Sequence, residues 1–192
     1  MANTYINFLV TKNNTAPRSL PESIRQVSNL SAGFCRSWLS NEIQDALTTS
    51  EEAFQLLDHI QNEFLRHRDE KSKLAGWSSN PFKAALDAIV GELIEPATQN
   101  DKEFFLSCQS GKGALPPVAS PTPLTLAVAL NKLKHRSASA VNFTISPSGA
   151  HFLYIFTNAG MGKSDSISSF DISVFCKACK VATEAIDPES VT

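Results

Sequence analysis

The chain has 192 residues, and 42% of them are hydrophobic, which is enough apolar material for one folded domain of ordinary size. Seventeen basic and nineteen acidic residues give a formal net charge of −2. Because the charges nearly balance and no basic block stands out, a surface that binds nucleic acid or anionic lipid is not expected. The densest basic stretch, Lys132–Arg136, is typical of a helix C-terminus, where cations interact favourably with the helix dipole.

The N-terminal residues Met1–Val10 lack the cationic region of a cleavable secretory signal. No run in the chain approaches the roughly 20 apolar residues that a membrane span needs. Four cysteines without framework spacing predict reduced thiols. These features predict a cytoplasmic protein. They leave open a secreted protein that is exported without a cleaved signal, because such a route leaves no trace in these patterns.

Capping residues and apolar periodicity predict helices over most of the first two-thirds of the chain. Tyr5–Val10 is compatible with a short strand, and Asn13–Pro21 is expected to be a loop because Pro17 and Pro21 break regular structure. A helix is expected to begin at Ser31, which can cap it. Three more helices are expected to begin at the capping patterns Thr49–Glu52, Asn80-Pro81 and Thr122-Pro123. The second of these three is expected to continue through Ile89 and Leu93 until Pro96 stops it.

The last third of the chain has the alternation and turn residues of an antiparallel sheet. Ala140–Ser146 and Ala150–Thr157 are predicted strands, and Pro147–Gly149 is the turn that joins them into a hairpin. Ser166–Phe170 is a candidate third strand, and Val174–Ile186 is predicted to form a closing helix. Helices followed by an antiparallel sheet predict the α+β class, in a single domain over residues 1–192.

Cys35 is the first candidate for a catalytic group. A thiol attacks a carbonyl as the thiolate, and a free pKa of about 8.5 leaves little thiolate at pH 7. In the first turn of the predicted helix, behind Gly33 and beside Arg36, backbone N–H groups and a positive charge would stabilise the anion. Cys35 is therefore a candidate nucleophile. The alternative is a small hydrophobic residue of the core.

His151 is the candidate general base, because it opens a predicted strand directly after a hairpin turn. A sheet at that point would hold the imidazole at a fixed height over a helix elsewhere in the fold. The alternative is a satisfied histidine at a strand end. The other histidines, His59, His67 and His135, lie on or at the end of predicted helices and are expected on the surface.

An imidazole that acts as a base needs a group that orients it. Asp171 follows the predicted strand Ser166–Phe170, and Asp165 precedes it. If that strand pairs with the histidine strand, a residue at its end can meet His151. Asp171 fits this position better because Phe170 would anchor it to the core, and Asp165 stays an alternative.

Acyl transfer also requires donors for the developing oxyanion. The backbone N–H of Cys35 would supply one of them. Asn29, six residues before Cys35, is the preferred side-chain donor, and Gln26 is the alternative. Either amide would serve equally well as a loop cap.

Three short stretches carry a resemblance to a known family. They are Gly33–Leu39 with its Gly-Phe-Cys start, the Ala150-His151 pair that opens an apolar strand, and the Phe170-Asp171 step. They resemble the YopT-type cysteine proteases, papain-like enzymes that bacteria deliver into host cells. The spacing of 116 residues between positions 35 and 151 is similar to that of the family, which has a long helical insertion. Asp171 is followed by Ile172-Ser173, whereas the family continues as proline–asparagine.

The resemblance implies a papain-like fold with a helical part packed on a small antiparallel sheet. It implies a cysteine protease that acts on a host protein as a secreted effector, through a catalytic triad of Cys35, His151 and Asp171 with Asn29 at the oxyanion. Neither a metal nor an organic cofactor is implied. The departures leave room for a glutamine deamidase with the same triad. A non-enzymatic helical adaptor is the alternative from a different functional class.

Cys176 and Cys179 have the CxxC spacing of metal-binding and redox motifs. A second pair at metal-ligand distance is absent from the sequence, and the two residues fall on the predicted closing helix. A buried structural role is therefore expected for this pair.

Overall fold

The computed structural model describes residues 19–136, 140–158, 160 and 164–186. The helices are α1 (Leu20–Leu39), α2 (Ile43–Lys71), α3 (Pro81–Leu86), α4 (Gln99–Ser107), α5 (Leu126–Lys134) and α6 (Ile172–Ile186), with a short 3₁₀ turn at Trp77–Ser79. The strands are β1 (Ile89–Ile94), β2 (Thr122–Thr125), β3 (Val141–Ile145), β4 (His151–Thr157) and β5 (Ser166–Asp171). The predicted strand Tyr5–Val10 lies outside the described residues. The mixture of helices with one antiparallel sheet confirms the α+β class.

The sheet has the strand order β2-β1-β5-β4-β3, and every neighbouring pair is antiparallel. The predicted hairpin is present as β3 and β4, in which Ile145 pairs with His151 across the turn. The third predicted strand is β5, and it pairs with β4 so that Phe152 lies opposite Asp171. This register brings the beginning of β4 and the end of β5 to the same end of the sheet.

Two hydrophobic clusters cover the two faces of the sheet. The larger cluster joins α1, α2, α3, α5 and α6 to one face, and Leu153 and Phe170 are among its strand residues. The smaller cluster lies on the opposite face, where Phe105 of α4 packs near Phe156 and Ile167. Strand side chains alternate between faces, which is why Phe156 and Leu153 belong to different clusters.

Helices α1 and α2 form an antiparallel hairpin around a tight turn at Ser40–Glu42, where Asn41 has a φ of 61°. The predicted helix start at Ser31 is wrong, because α1 begins eleven residues earlier at Leu20, with Pro21 in its first turn. The predicted start at Thr49 is also wrong. Thr49 lies inside α2, and its hydroxyl donates to the Asp45 carbonyl instead of capping a helix.

The helix predicted from Asn80 begins where expected, since the Asn80 side chain accepts from the N–H of Phe82. It ends at Leu86, so its predicted continuation through Ile89 and Leu93 is wrong. Those residues form β1, the strand next to β5. Gly91 permits this pairing, because a Cβ there would overlap the Ser169 carbonyl oxygen.

The capping residue of α5 is Thr125, whose hydroxyl accepts from the N–H of Val128. The predicted cap at Thr122-Pro123 is therefore displaced by three residues, and that segment forms edge strand β2 instead. Pro123 is tolerated there because an edge strand leaves one side without ladder bonds. Among the helices of the described residues, none is both long enough and apolar enough to cross a membrane.

Candidate active site

His151 is the first residue of β4 and follows the hairpin turn between β3 and β4. The turn is fixed by two hydrogen bonds that Ser146 makes to Ala150, from its N–H to the carbonyl and from the Ala150 N–H to its hydroxyl. Gly149 adopts a φ of 83° at the tip, which favours glycine. The turn therefore fixes the backbone position from which the His151 side chain extends.

The imidazole of His151 meets the hydroxyl of Ser31 in the middle of α1. The Ser31 Oγ and the His151 Nδ1 are 2.9 Å apart, which is hydrogen-bonding distance. The two residues are separated by 120 positions, so the contact is made by docking α1 onto the β3–β4 hairpin. A serine hydroxyl at hydrogen-bonding distance from an imidazole is the arrangement in which a nucleophile can be activated by a general base.

Aromatic rings enclose the imidazole. Phe34 stacks on it with a centroid distance of 5.1 Å and an interplanar angle of 7°. Phe143 approaches it edge-on at 5.9 Å, and Trp38 packs against both phenylalanines. Burial among these rings lowers the pKa of His151 from 6.5 to about 4, and the negative charge of Asp171 opposes this shift. His151 is therefore a neutral base at pH 7.

Asp171 is the last residue of β5 and pairs with Phe152, the residue that follows His151 in β4. Its carboxylate oxygen Oδ1 accepts from the N–H groups of Ser173 at 2.6 Å and Val174 at 3.2 Å. Asp171 thus caps the N-terminus of α6, and its charge acts on the imidazole. Among the described residues, Asp171 acts on His151 through its charge and not through a hydrogen bond, so its role as the group that orients the imidazole stays a prediction.

Asp165, the alternative acid, is at the opposite end of β5. Thr157, the last residue of β4, pairs with Ser166, and the carbonyl of Asp165 accepts from the N–H of Ala97. At about 3.3 Å per residue, β5 separates Asp165 from the His151 end of the sheet by roughly 20 Å. Asp165 is therefore not placed to orient this imidazole.

Cys35 is one helical turn beyond Ser31, in the last two turns of α1 and not in its first turn. The N–H groups there are bonded within the helix, and the dipole at a helix C-terminus disfavours an anion. The thiol is half-buried, and burial raises its pKa. The expected stabilisation of the Cys35 thiolate by a helix N-terminus is therefore wrong.

Asn29 and Gln26, the two candidate oxyanion donors, are also on α1. Asn29 is exposed and precedes Ser31 by two residues, about 200° around the helix, so it points away from His151. The Gln26 amide donates to Glu22 at 2.8 Å. The structure brings neither amide to the Ser31–His151 pair.

A groove of about 700 Å³ runs over the Ser31–His151 pair, between the α1–α2 hairpin and strands β3 and β4. Its walls are mainly apolar, and Phe34, Trp38, Phe54 and Phe143 supply aromatic surface. The Ser31–His151 pair thus faces a space that could accept part of another molecule.

The sequence pattern predicts Ser31 as a helix cap, whereas it lies in the middle of α1. It could have been found from its helical spacing, because Val27, Ser31, Phe34 and Trp38 lie on one stripe of α1 and all line the groove. A single polar residue on an otherwise apolar stripe is a recognisable pattern. Its partner, His151, was already a candidate.

The CxxC pair is buried in α6, where burial raises the pKa of Cys176 to about 12 and that of Cys179 well above the usual value. These thiols are therefore unsuited to redox exchange. Within the described ranges, no cluster of three or more His, Cys, Asp or Glu side chains could hold a metal ion.

Comparisons with protein-family models, with curated proteins and with solved structures found no match to this chain.

Proposed function

We propose that this protein is a hydrolase that transfers an acyl group of a protein substrate through Ser31, with His151 as general base. The observation that carries the proposal is the 2.9 Å contact between Ser31 Oγ and His151 Nδ1 at the groove. The reaction class follows the expectation of a papain-like hydrolase. The nucleophile moves from Cys35 to Ser31, because Ser31 is the residue that touches the base.

The chemistry follows from the protonation state of His151. A neutral imidazole accepts the Ser31 proton at Nδ1 while Oγ attacks the carbonyl carbon of a peptide or side-chain amide. The imidazolium then returns this proton to the leaving amine, which departs and leaves an ester on Ser31. Water hydrolyses the ester with His151 as base again. Asp171 stabilises the imidazolium electrostatically, since its negative charge raises the pKa of His151.

The position of Ser31 in the middle of α1 limits the rate. Its backbone N–H is twelve residues into the helix and is bonded within it, so it is not free to bind an oxyanion. Losing one such donor typically costs about 10²–10³ in kcat. Covalent modification of Ser31 by an activated electrophile is therefore a more sensitive test than turnover of an amide.

The test is covalent labelling with a fluorophosphonate, followed by intact mass and peptide mapping. We expect one adduct, on Ser31, that is lost in Ser31→Ala and strongly slowed in His151→Gln. Ser37→Ala is the matched control, because Ser37 is a buried serine on the same helix that does not line the groove. Labelling that is absent, or that persists in Ser31→Ala, would overturn the proposal.

A non-enzymatic interaction module is the second candidate, favoured by a specific observation. Leu39, Ile43 and Leu47 are 72%, 42% and 53% exposed around the α1–α2 turn, and the last two line the groove. Exposed apolar side chains beside an apolar groove are typical of a protein-binding surface. Binding of a partner without any labelling of Ser31 would favour this candidate. Action inside a host cell stays a prediction from the resemblance.

A further inference from the structure

We propose that the groove recognises an extended, apolar segment of a partner protein that carries an Asp or Glu side chain, and that Lys134 binds this carboxylate. The inference rests on the proposed function in that it names the substrate class of the same groove. It concerns binding, so it can be tested in the absence of any reaction.

The groove has a cationic end, formed by Lys134 at the end of α5 and by Arg136. Arg136 is already neutralised there, because its guanidinium donates to Asp58 at 2.7 Å and to the Leu133 carbonyl at 2.6 Å. It also lies over the Phe54 ring, 4.7 Å from the centroid. Arg136 and Asp58 are therefore a fixed, charge-balanced part of the wall.

Lys134 lines the same end of the groove and is exposed. Among the residues that the structure describes, it has no acidic partner, whereas its neighbour Lys132 on α5 is paired with Glu95 at 3.0 Å. Counting Asp58 against Arg136 leaves the ammonium of Lys134 as a net positive charge beside an apolar surface. A ligand with a carboxylate next to apolar side chains complements both features.

The open wall of the groove favours a peptide over a fatty acyl chain. Ile43 and Leu47 line the groove and are 42% and 53% exposed, so the groove is open to solvent where these two residues lie. A chain with apolar side chains on one face can lie along such a groove and continue beyond both ends. An acyl chain would leave much of its surface in water.

The experiment uses the Ser31→Ala protein, in which peptide cannot be consumed, and fluorescence polarisation. Two fluorescein-labelled octapeptide pools have Leu, Ile and Phe mixed at four positions and differ at one fixed position, which is Asp or Asn. We expect the Asp pool to bind about three- to fivefold tighter at low salt, the magnitude of one exposed ion pair, with the difference shrinking as salt rises. Lys134→Gln should abolish the difference. Lys134→Arg should restore it.

Lys132→Gln, on the same helix but outside the groove lining, is the matched control and should leave the difference intact. Equal binding of the two pools, no binding of either, or Lys134-dependent binding of dodecanoate alone would overturn the inference. If the Asp preference is found but Ser31 is never labelled by fluorophosphonate, the proposed hydrolase fails and this inference stands. If Ser31 is labelled but the Asp pool does not bind more tightly, this inference fails and the proposed hydrolase stands.

Discussion

The Ser31 hydroxyl on α1 lies 2.9 Å from Nδ1 of His151 on β4, across the junction between the helical layer and the sheet. The imidazole is simultaneously stacked on Phe34, which follows Ser31 by less than one helical turn. The same helix therefore supplies both the polar partner of the imidazole and the apolar surface that lowers its pKa. Loosening this helix against the sheet would affect both properties together.

The stability of the protein should depend on pH through His151. Its folded pKa of about 4 is below the usual 6.5, so between these values the unfolded chain binds a proton that the folded chain does not. Stability is therefore greatest above about pH 6.5 and is lost as pH falls towards 4, by about 3 kcal/mol from this group. His151→Gln should reduce this slope in urea unfolding between pH 7.5 and 4. An unchanged slope would contradict the burial of the imidazole.

Phe34→Ala should both destabilise the fold and raise the pKa of His151. Phe34 is buried against Trp38, Phe143 and the imidazole, so its truncation should cost about 3 kcal/mol. Water would reach the ring and weaken the desolvation that now lowers the pKa. Urea unfolding and an NMR titration of His151 measure the two effects. Phe34→Leu, which keeps the ring covered, should show a smaller change in both, and a pKa that stays near 4 in the alanine variant would count against the stacking as its cause.

Two variants of Asp171 should distinguish its structural role from its electrostatic role. Asp171→Ala removes the cap of α6 and should cost about 1 kcal/mol. Asp171→Asn keeps an oxygen that can accept the same two N–H groups and should be close to wild type in stability. Both variants should lower the pKa of His151 further, because both remove the negative charge that raises it. An unchanged pKa of His151 in both variants would show that Asp171 does not act on the imidazole.

Cys35 should behave as an ordinary thiol. It is more exposed than Cys176 and Cys179, so iodoacetamide should label it faster than those two. Its rate should increase about tenfold per pH unit near neutrality, because the thiolate is the minor form there. His151→Ala should leave this rate unchanged. Rapid labelling at pH 6–7 that depends on His151 would make Cys35 the nucleophile after all.

The strands that carry His151 and Asp171 could be predicted from the sequence, because the residues that define each strand are close together in the chain. The turn residues around Gly149 and the apolar alternation after His151 define the β3–β4 hairpin within about 15 residues. Strand β5 and its final Asp171 follow from the same kind of pattern. Pairing of these two strands then requires only that neighbouring strands in sequence pair in the sheet.

The starts of α1 and α2 were predicted wrongly, because long-range packing and not capping residues determines where these helices begin. Ser31 and Thr49 are good capping residues, but both lie inside helices that are stabilised by burying α1 and α2 against each other and the sheet. The error at Ser31 placed Cys35 in a first turn that does not exist. The hydroxyl that meets His151 belongs to this same residue, which lies on the apolar stripe of α1 and not at a helix end.

Strand β1 was mistaken for a helix because its residues suit either structure. Ile89, Leu93 and the residues between them fit an apolar helical stripe as a continuation of α3. Their pairing with β2 and β5 brings together segments 30 to 80 residues apart, which no local pattern reveals. A short apolar run of this length is ambiguous without knowledge of its partners.

The tautomer of His151 tests the central claim most directly. If Ser31 donates its proton to this base, Nδ1 must be unprotonated and Nε2 must carry the hydrogen, in the neutral ring at pH 7. Long-range ¹H–¹⁵N NMR of the folded protein distinguishes the two ring nitrogens, with Ser31→Ala as the comparison. The account predicts the Nε2–H tautomer at pH 7, with an Nδ1 resonance that shifts when Ser31 is removed. A hydrogen on Nδ1 would make Ser31 the acceptor, and His151 could not then deprotonate it.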